Sequence, residues 1–106
     1  MTWSPKHRVS NGGLNQANPR AASECPFVVE LTPGEYYLFI TQRYGAGAHT
    51  TVYHSRDPLD FGVKSGKPEL AGTLPVAAPE ILRHNGEWFI AALHLKGVRI
   101  ARLAWE

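Results

Sequence analysis

Two glutamates lie beside prolines at matching places in the chain, and both could take part in acid–base chemistry. Glu24 stands two residues before Pro26, and Glu80 directly follows Pro79. A pair of neighbouring carboxyl groups can act as general acid and general base, because mutual repulsion keeps one of them protonated while the other is ionised. We therefore treat Glu24 and Glu80 as candidate catalytic residues.

Three further polar residues could bind a substrate. Gln42, Arg43 and His49 flank a Gly-rich connection at residues 44–48, and an arginine beside two carboxylates would keep one of them ionised. The five histidines and the single cysteine show no closed zinc-binding spacing, so we expect neither a metal nor another cofactor. Cys25 is expected to behave as a small buried apolar residue.

The elements that must position these residues belong to a repeat within the chain. The segments Cys25–Ile40 and Ala78–Ala92 each contain a proline-led strand, a glycine turn and an aromatic strand. The aligned pairs are Pro26 with Pro79, Gly34 with Gly86, Glu35 with Glu87, Tyr36 with Trp88 and Tyr37 with Phe89. The copies are about 52 residues apart, which is close to the length of one β-propeller blade.

The alternation of β-prone strands with Pro and Gly turns predicts an all-β fold without helices. Predicted strands cover 2–9, 26–31, 35–42, 50–55, 69–74, 80–83, 87–93 and 98–105, with a polar loop over 56–68. We interpret them as two four-stranded antiparallel blades of a single β-propeller-like domain. Blade one covers about 22–75, and blade two covers about 76–106 together with the N-terminal strand 2–9.

The motifs around the two glutamates resemble those of a known enzyme group. Glu24-Cys25-Pro26 resembles the Glu-Cys-Pro motif of invertases and fructosidases and the Glu-Gly-Pro motif of arabinanases and xylosidases. Both are five-bladed propeller glycoside hydrolases. Ala78-Pro79-Glu80 is similar to the Ala-Pro-Asp segment of the arabinanase-like enzymes. The resemblance implies that Glu24 is a general acid and that Glu80 orients it.

The chain departs from this family in two ways. It covers only about two of five blades in reversed order, and the catalytic Asp of the first blade has no equivalent. The sequence therefore predicts a hydrolase-like propeller fragment that acts on or binds carbohydrate, with its status as an enzyme left open. The alternative is a lectin-like or orphan oligomeric module without activity. Two blades would leave two apolar faces exposed, which predicts a homo-oligomer.

Composition argues against two other classes of partner, nucleic acids and membranes. The 106-residue chain has a net charge of +2 and scattered Lys and Arg residues, so no nucleic acid partner is expected. No apolar run approaches the roughly 20 residues of a membrane span, so no membrane partner is expected. The N-terminus shows no apolar leader segment, which makes a cytoplasmic location the default expectation.

Overall fold

The computed structural model describes residues 1–12, 23–94 and 96–105 of the chain. In this part of the chain the protein is all-β, as the sequence predicts, and its one helical segment is the 3-10 turn Gly45–Gly47. No helix in the described ranges has the length and apolar character that a bilayer crossing needs. The strands are β1 (Glu24–Thr32), β2 (Glu35–Arg43), β3 (His49–Ser55), β4 (Glu69–Leu74), β5 (Ala77–His84), β6 (Glu87–His94) and β7 (Gly97–Arg102).

The strands form two antiparallel sheets. The first sheet has the order β1-β2-β3-β4, and the second has the order β5-β6-β7. Each strand pairs with its neighbour in sequence, because short turns favour antiparallel pairing of consecutive strands. At the turn between β5 and β6, Asn85 and Gly86 both have positive φ angles, 49° and 77°. This is the backbone that an Asn-Gly hairpin turn requires.

The two copies of the repeat begin with the same backbone distortion. Cys25 and Ala78, which precede the aligned prolines, have positive φ angles of 47° and 49°. The strand pairing is irregular at both places, between Glu24 and Phe27 and between Ala77 and Glu80. An extra residue in one strand bends it and re-aims the side chains that follow. The sequence repeat is therefore also a repeat of local structure.

Residues 2–9 form no strand, which corrects the prediction that they complete the second blade. Residues 1–8 are exposed, and Trp3 is among them. Pro5 lacks the N–H that a strand ladder needs, and Val9 instead packs on the first sheet. The second sheet therefore has three strands in the described structure rather than four.

The first sheet buries the centre of both of its faces. On one face Leu38, Ile40 and Tyr53 form a buried cluster with Phe61, which comes from the loop over 56–68. The Phe61 N–H donates a hydrogen bond to the Val9 carbonyl at 2.6 Å, so the loop and the N-terminal segment cover this face together. Val28 and Leu70, at the two sides of this face, stay 44% and 48% exposed, so the apolar face that the sequence predicts to be exposed is reduced to its sides in the first sheet.

The other face of the first sheet packs against the second sheet. Phe39 and Val52 of the first sheet are buried with Ile81 of β5. Partly buried apolar side chains from both sheets and from residues 103–105 extend this cluster. The core of the molecule thus lies between the sheets, where apolar side chains leave water.

Two buried threonines attach the linker between the sheets to the first sheet. The Thr50 hydroxyl donates to the Val76 carbonyl at 2.8 Å, and the Ala78 N–H donates to Thr41 Oγ1 at 2.8 Å. Both threonines are fully buried. Since a buried backbone group without a partner is costly, these bonds fix the place where β5 crosses the first sheet.

Candidate functional site

Four of the five sequence-predicted residues lie at one end of the first sheet. Glu24 begins β1, Gln42 and Arg43 end β2, and His49 begins β3. Antiparallel neighbours bring these strand ends together, and Arg43 pairs directly with His49. The Gln42 side chain accepts a hydrogen bond from Thr51.

Glu80 lies apart from these four residues. It is an exposed residue of β5 and pairs with Ala91 of β6. Its neighbour Ile81 points into the core between the sheets, and side chains alternate between the faces of a strand. Glu80 therefore projects from the outer face of the second sheet. Glu24 and Glu80 line neither of the two clefts described below, and their catalytic roles stay predictions.

Glu24 belongs to a small hydrogen-bonded cluster with Tyr44. The Tyr44 hydroxyl lies 3.1 Å from Cys25 Sγ. The hydrogen bond with Cys25, partial burial and the hydrogen bond with Glu24 together raise the pKa of Tyr44, so the phenol stays protonated. Cys25 is exposed rather than buried, because the distorted backbone before the proline turns its side chain toward Tyr44.

A second polar cluster lies at the opposite end of the first sheet. His54 Nε2 bonds to Glu35 Oε2, and His54 Nδ1 lies 3.2 Å from Glu69 Oε2. Arg56 Nε donates to Glu35 Oε1 at 3.3 Å. Glu35 begins β2, His54 stands near the end of β3, and Glu69 begins β4. We call these three residues the Glu-His-Glu cluster.

The Glu-His-Glu cluster favours a protonated imidazole between two carboxylates. Partial burial opposes protonation of His54, but its hydrogen bonds and charge interactions with Glu35 and Glu69 outweigh burial and raise the His54 pKa. The hydrogen bonds from His54 and Arg56 lower the pKa of Glu35. An imidazolium and a carboxylate stabilise each other's charge. The pairing of His54 with Glu35 therefore contributes both to the raised His54 pKa and to the lowered Glu35 pKa.

Aromatic side chains form the other part of the same cleft. The Tyr37 ring centroid lies 5.1 Å from that of His54 and 4.8 Å from that of Trp105. The cleft has a volume of about 630 Å³ and continues over Phe39 and Val52, within the usual range for small-molecule sites. Trp105 Nε1 is enclosed and has no hydrogen-bond partner in the described structure.

The chemistry of this cleft suits a ligand with several hydroxyl groups. Carboxylate oxygens accept hydrogen bonds from hydroxyls, while aromatic rings cover the apolar side of a ligand. Within the described ranges no group of three or more His, Cys, Asp or Glu side chains could hold a metal ion. The cleft thus offers carboxylate acceptors, held in place by His54, and an aromatic wall.

Sequence reasoning missed the Glu-His-Glu cluster. In the sequence, Glu35 stands out only as a member of the repeat, His54 only as one of several histidines that are polar candidates, and Glu69 only as the start of a predicted strand. The signal that could have found them is strand register, because Tyr37 pairs with His54 and His54 pairs with Glu69. Register aligns residues that are far apart in sequence.

Comparison of the chain with protein-family models, with curated proteins and with solved structures gives no match.

Proposed function

We propose that this protein is a carbohydrate-binding module of β-propeller type that binds its sugar in the cleft beside the Glu-His-Glu cluster. The observation that carries the proposal is the meeting of Glu35, His54 and Glu69 with the Tyr37 and Trp105 rings in one cleft. Sugars combine a polar ring of hydroxyls with an apolar face, and this cleft has both kinds of surface.

The geometry supports sugar binding without hydrolysis. Hydrolysis needs two carboxyl groups about 5–9.5 Å apart on either side of the scissile bond. Glu24 lies at one end of the first sheet, and Glu80 projects from the outer face of the second. The resemblance to five-bladed propeller hydrolases and the default cytoplasmic location both stay predictions, and the former guides the choice of test sugars.

The sugar-binding prediction is tested with xylobiose, arabinobiose and sucrose by isothermal titration calorimetry. We expect at least one of them to bind, and we expect Glu35→Gln and Glu69→Gln each to weaken that binding about ten- to a hundredfold. The reason is that each variant removes one charged hydrogen-bond acceptor from the cleft. Binding by none of the three sugars would contradict the proposal.

The repeat provides a matched control for this experiment. Glu87 aligns with Glu35 and also begins a strand, but it lies on the outer face of the second sheet beside Arg102. Glu87→Gln should leave sugar affinity unchanged. Release of nitrophenol from aryl glycosides, lost in Glu24→Gln, would replace the binding proposal with the hydrolase prediction.

The outer face of the second sheet supports self-association. Four apolar side chains on this face are strongly exposed, and they are Leu82 at 40%, Leu93 at 53%, Val98 at 74% and Ile100 at 62%. Strand pairing places Leu93 opposite Val98. Val9 and Phe61 cover the centre of the far face of the first sheet, so the outer face of the second sheet is the broader apolar surface. A two-fold dimer in which this outer face meets itself would cover it on both copies.

The dimer prediction is tested by size-exclusion chromatography with light scattering at micromolar concentration. We expect a mass of about twice the chain mass of 11.7 kDa, and we expect Ile100→Lys to shift it to one chain mass. A buried lysine without a partner disfavours the interface. Leu70→Lys, at a comparably exposed residue of β4 (48%), is the matched control and should stay dimeric. A wild-type monomer would rule out the dimer.

A further inference from the structure

A second cleft lies at the other end of the molecule from the Glu-His-Glu cluster. It runs between the turn at Gly45–Gly47, the linker at Pro75–Val76 and the ends of β6 and β7, with a volume of about 590 Å³. Small apolar side chains form its surface, among them Ala48 and Ala92. We call it the turn groove.

Two basic side chains enter the turn groove from the second sheet. Ala92 is buried toward the first sheet and pairs with Arg99 of β7. Directly paired residues share a face, and so does a residue two positions along the same strand. Arg99 and His94 therefore project on the same side as Ala92, and both line the groove.

The charged side chains in the turn groove are basic as far as its lining is described. Among the described lining residues there is neither Asp nor Glu. In the described part of the chain, the Arg99 and His94 side chains form no ion pair and no hydrogen bond. An arginine guanidinium binds carboxylate and phosphate oxygens with two parallel hydrogen bonds. The groove thus combines unpaired donors with an apolar surface of small side chains.

We propose that the turn groove binds a small molecule that carries one carboxylate or phosphate group on an apolar body. Arg99 holds the anionic group, His94 donates a further hydrogen bond to it, and the apolar body lies over Ala48 and Ala92. This site is distinct from the sugar cleft, since the described residues that line the two clefts do not overlap. Either proposal can therefore fail without the other.

The proposal is tested by NMR titration of the full chain with benzoate and with phenyl phosphate. We expect at least one of the two anions to bind at millimolar concentration, with amide shifts concentrated at residues 45–48 and 92–94, while neutral benzyl alcohol and phenol cause no saturable shifts. The two anions distinguish a carboxylate site from a phosphate site. Arg99→Gln should weaken binding about tenfold or more, because the charged pair is lost.

The same strand supplies the control variant. Arg102 is an exposed arginine on the opposite face of β7, where it pairs with Glu87, so Arg102→Gln should leave binding unchanged. Equal shifts with phenol and phenyl phosphate, or equal loss of binding in both arginine variants, would overturn the proposal. Shifts of the amides of residues 45–48, which lie outside the proposed dimer face, on raising the protein concentration alone would assign the groove to a second copy and would also overturn it.

Discussion

Replacing Phe39 with alanine should lower the free energy of unfolding by about 3–5 kcal/mol. The Phe39 side chain is 1% exposed and lies between the two sheets with Val52 and Ile81. Its ring also meets the edge of Trp105 at a centroid distance of 6.2 Å. Removing the ring loses these contacts and leaves a cavity that two hydrogen-bonded sheets cannot easily close. A domain of this size has a total stability of about 5–15 kcal/mol, so the loss is a large share of it.

Urea unfolding followed by tryptophan fluorescence measures this change. Phe39→Leu keeps most of the volume and should cost less than about 1.5 kcal/mol. Leu82→Ala removes an apolar side chain that is 40% exposed on the outer face of the second sheet, and it should cost less than Phe39→Ala. A loss below about 1 kcal/mol for Phe39→Ala would mean that the two sheets do not share one core.

The strands were the part of the fold that the sequence predicted best, because their signals are local. Runs of β-branched and aromatic residues end at Gly34 and at Asn85–Gly86, and such runs and turns are readable without tertiary contacts. The strand predicted at 69–74 coincides with β4. The repeat also predicted that two similar sheets follow each other.

The covering of the first sheet could not be predicted in the same way. Phe61 is one apolar residue in a polar loop, and Val9 is one in an irregular segment, so neither stands out by periodicity. Asp60 orders this loop by accepting hydrogen bonds from the Gly62 and Val63 N–H groups. Contacts of this kind form when a loop folds back over a sheet, and no local sequence pattern predicts that folding.

The residues of the candidate site could not be predicted from local sequence patterns either. Glu24 and Glu80 were chosen by their places beside prolines, and position along the chain does not determine which face a side chain takes after an irregular residue. The Glu-His-Glu cluster instead depends on the register of β2, β3 and β4. Without that register, the sequence does not indicate which carboxylates lie close to His54.

The cluster should make stability depend on pH in a defined window. The His54 pKa is raised above its ordinary value of 6.5, so its stabilising effect is complete below pH 6.5 and is lost as the pH rises through the folded-state pKa. The Glu35 pKa is lowered below its ordinary value of 4.5, so its effect is complete above pH 4.5 and is lost as the pH falls through the folded-state pKa. Together they stabilise the fold most between about pH 4.5 and 6.5.

Thermal unfolding of the wild type and of His54→Gln from pH 3 to 9 measures this window. We expect the difference in melting temperature between the two proteins to be largest between about pH 4.5 and 6.5 and to shrink on both sides, because only there are the stabilising contributions of the raised His54 pKa and the lowered Glu35 pKa both complete. His84→Gln changes an exposed histidine at the end of β5 and should show no such maximum. A difference between wild type and His54→Gln that stays constant across the range would show that His54 contributes packing alone, since packing does not titrate.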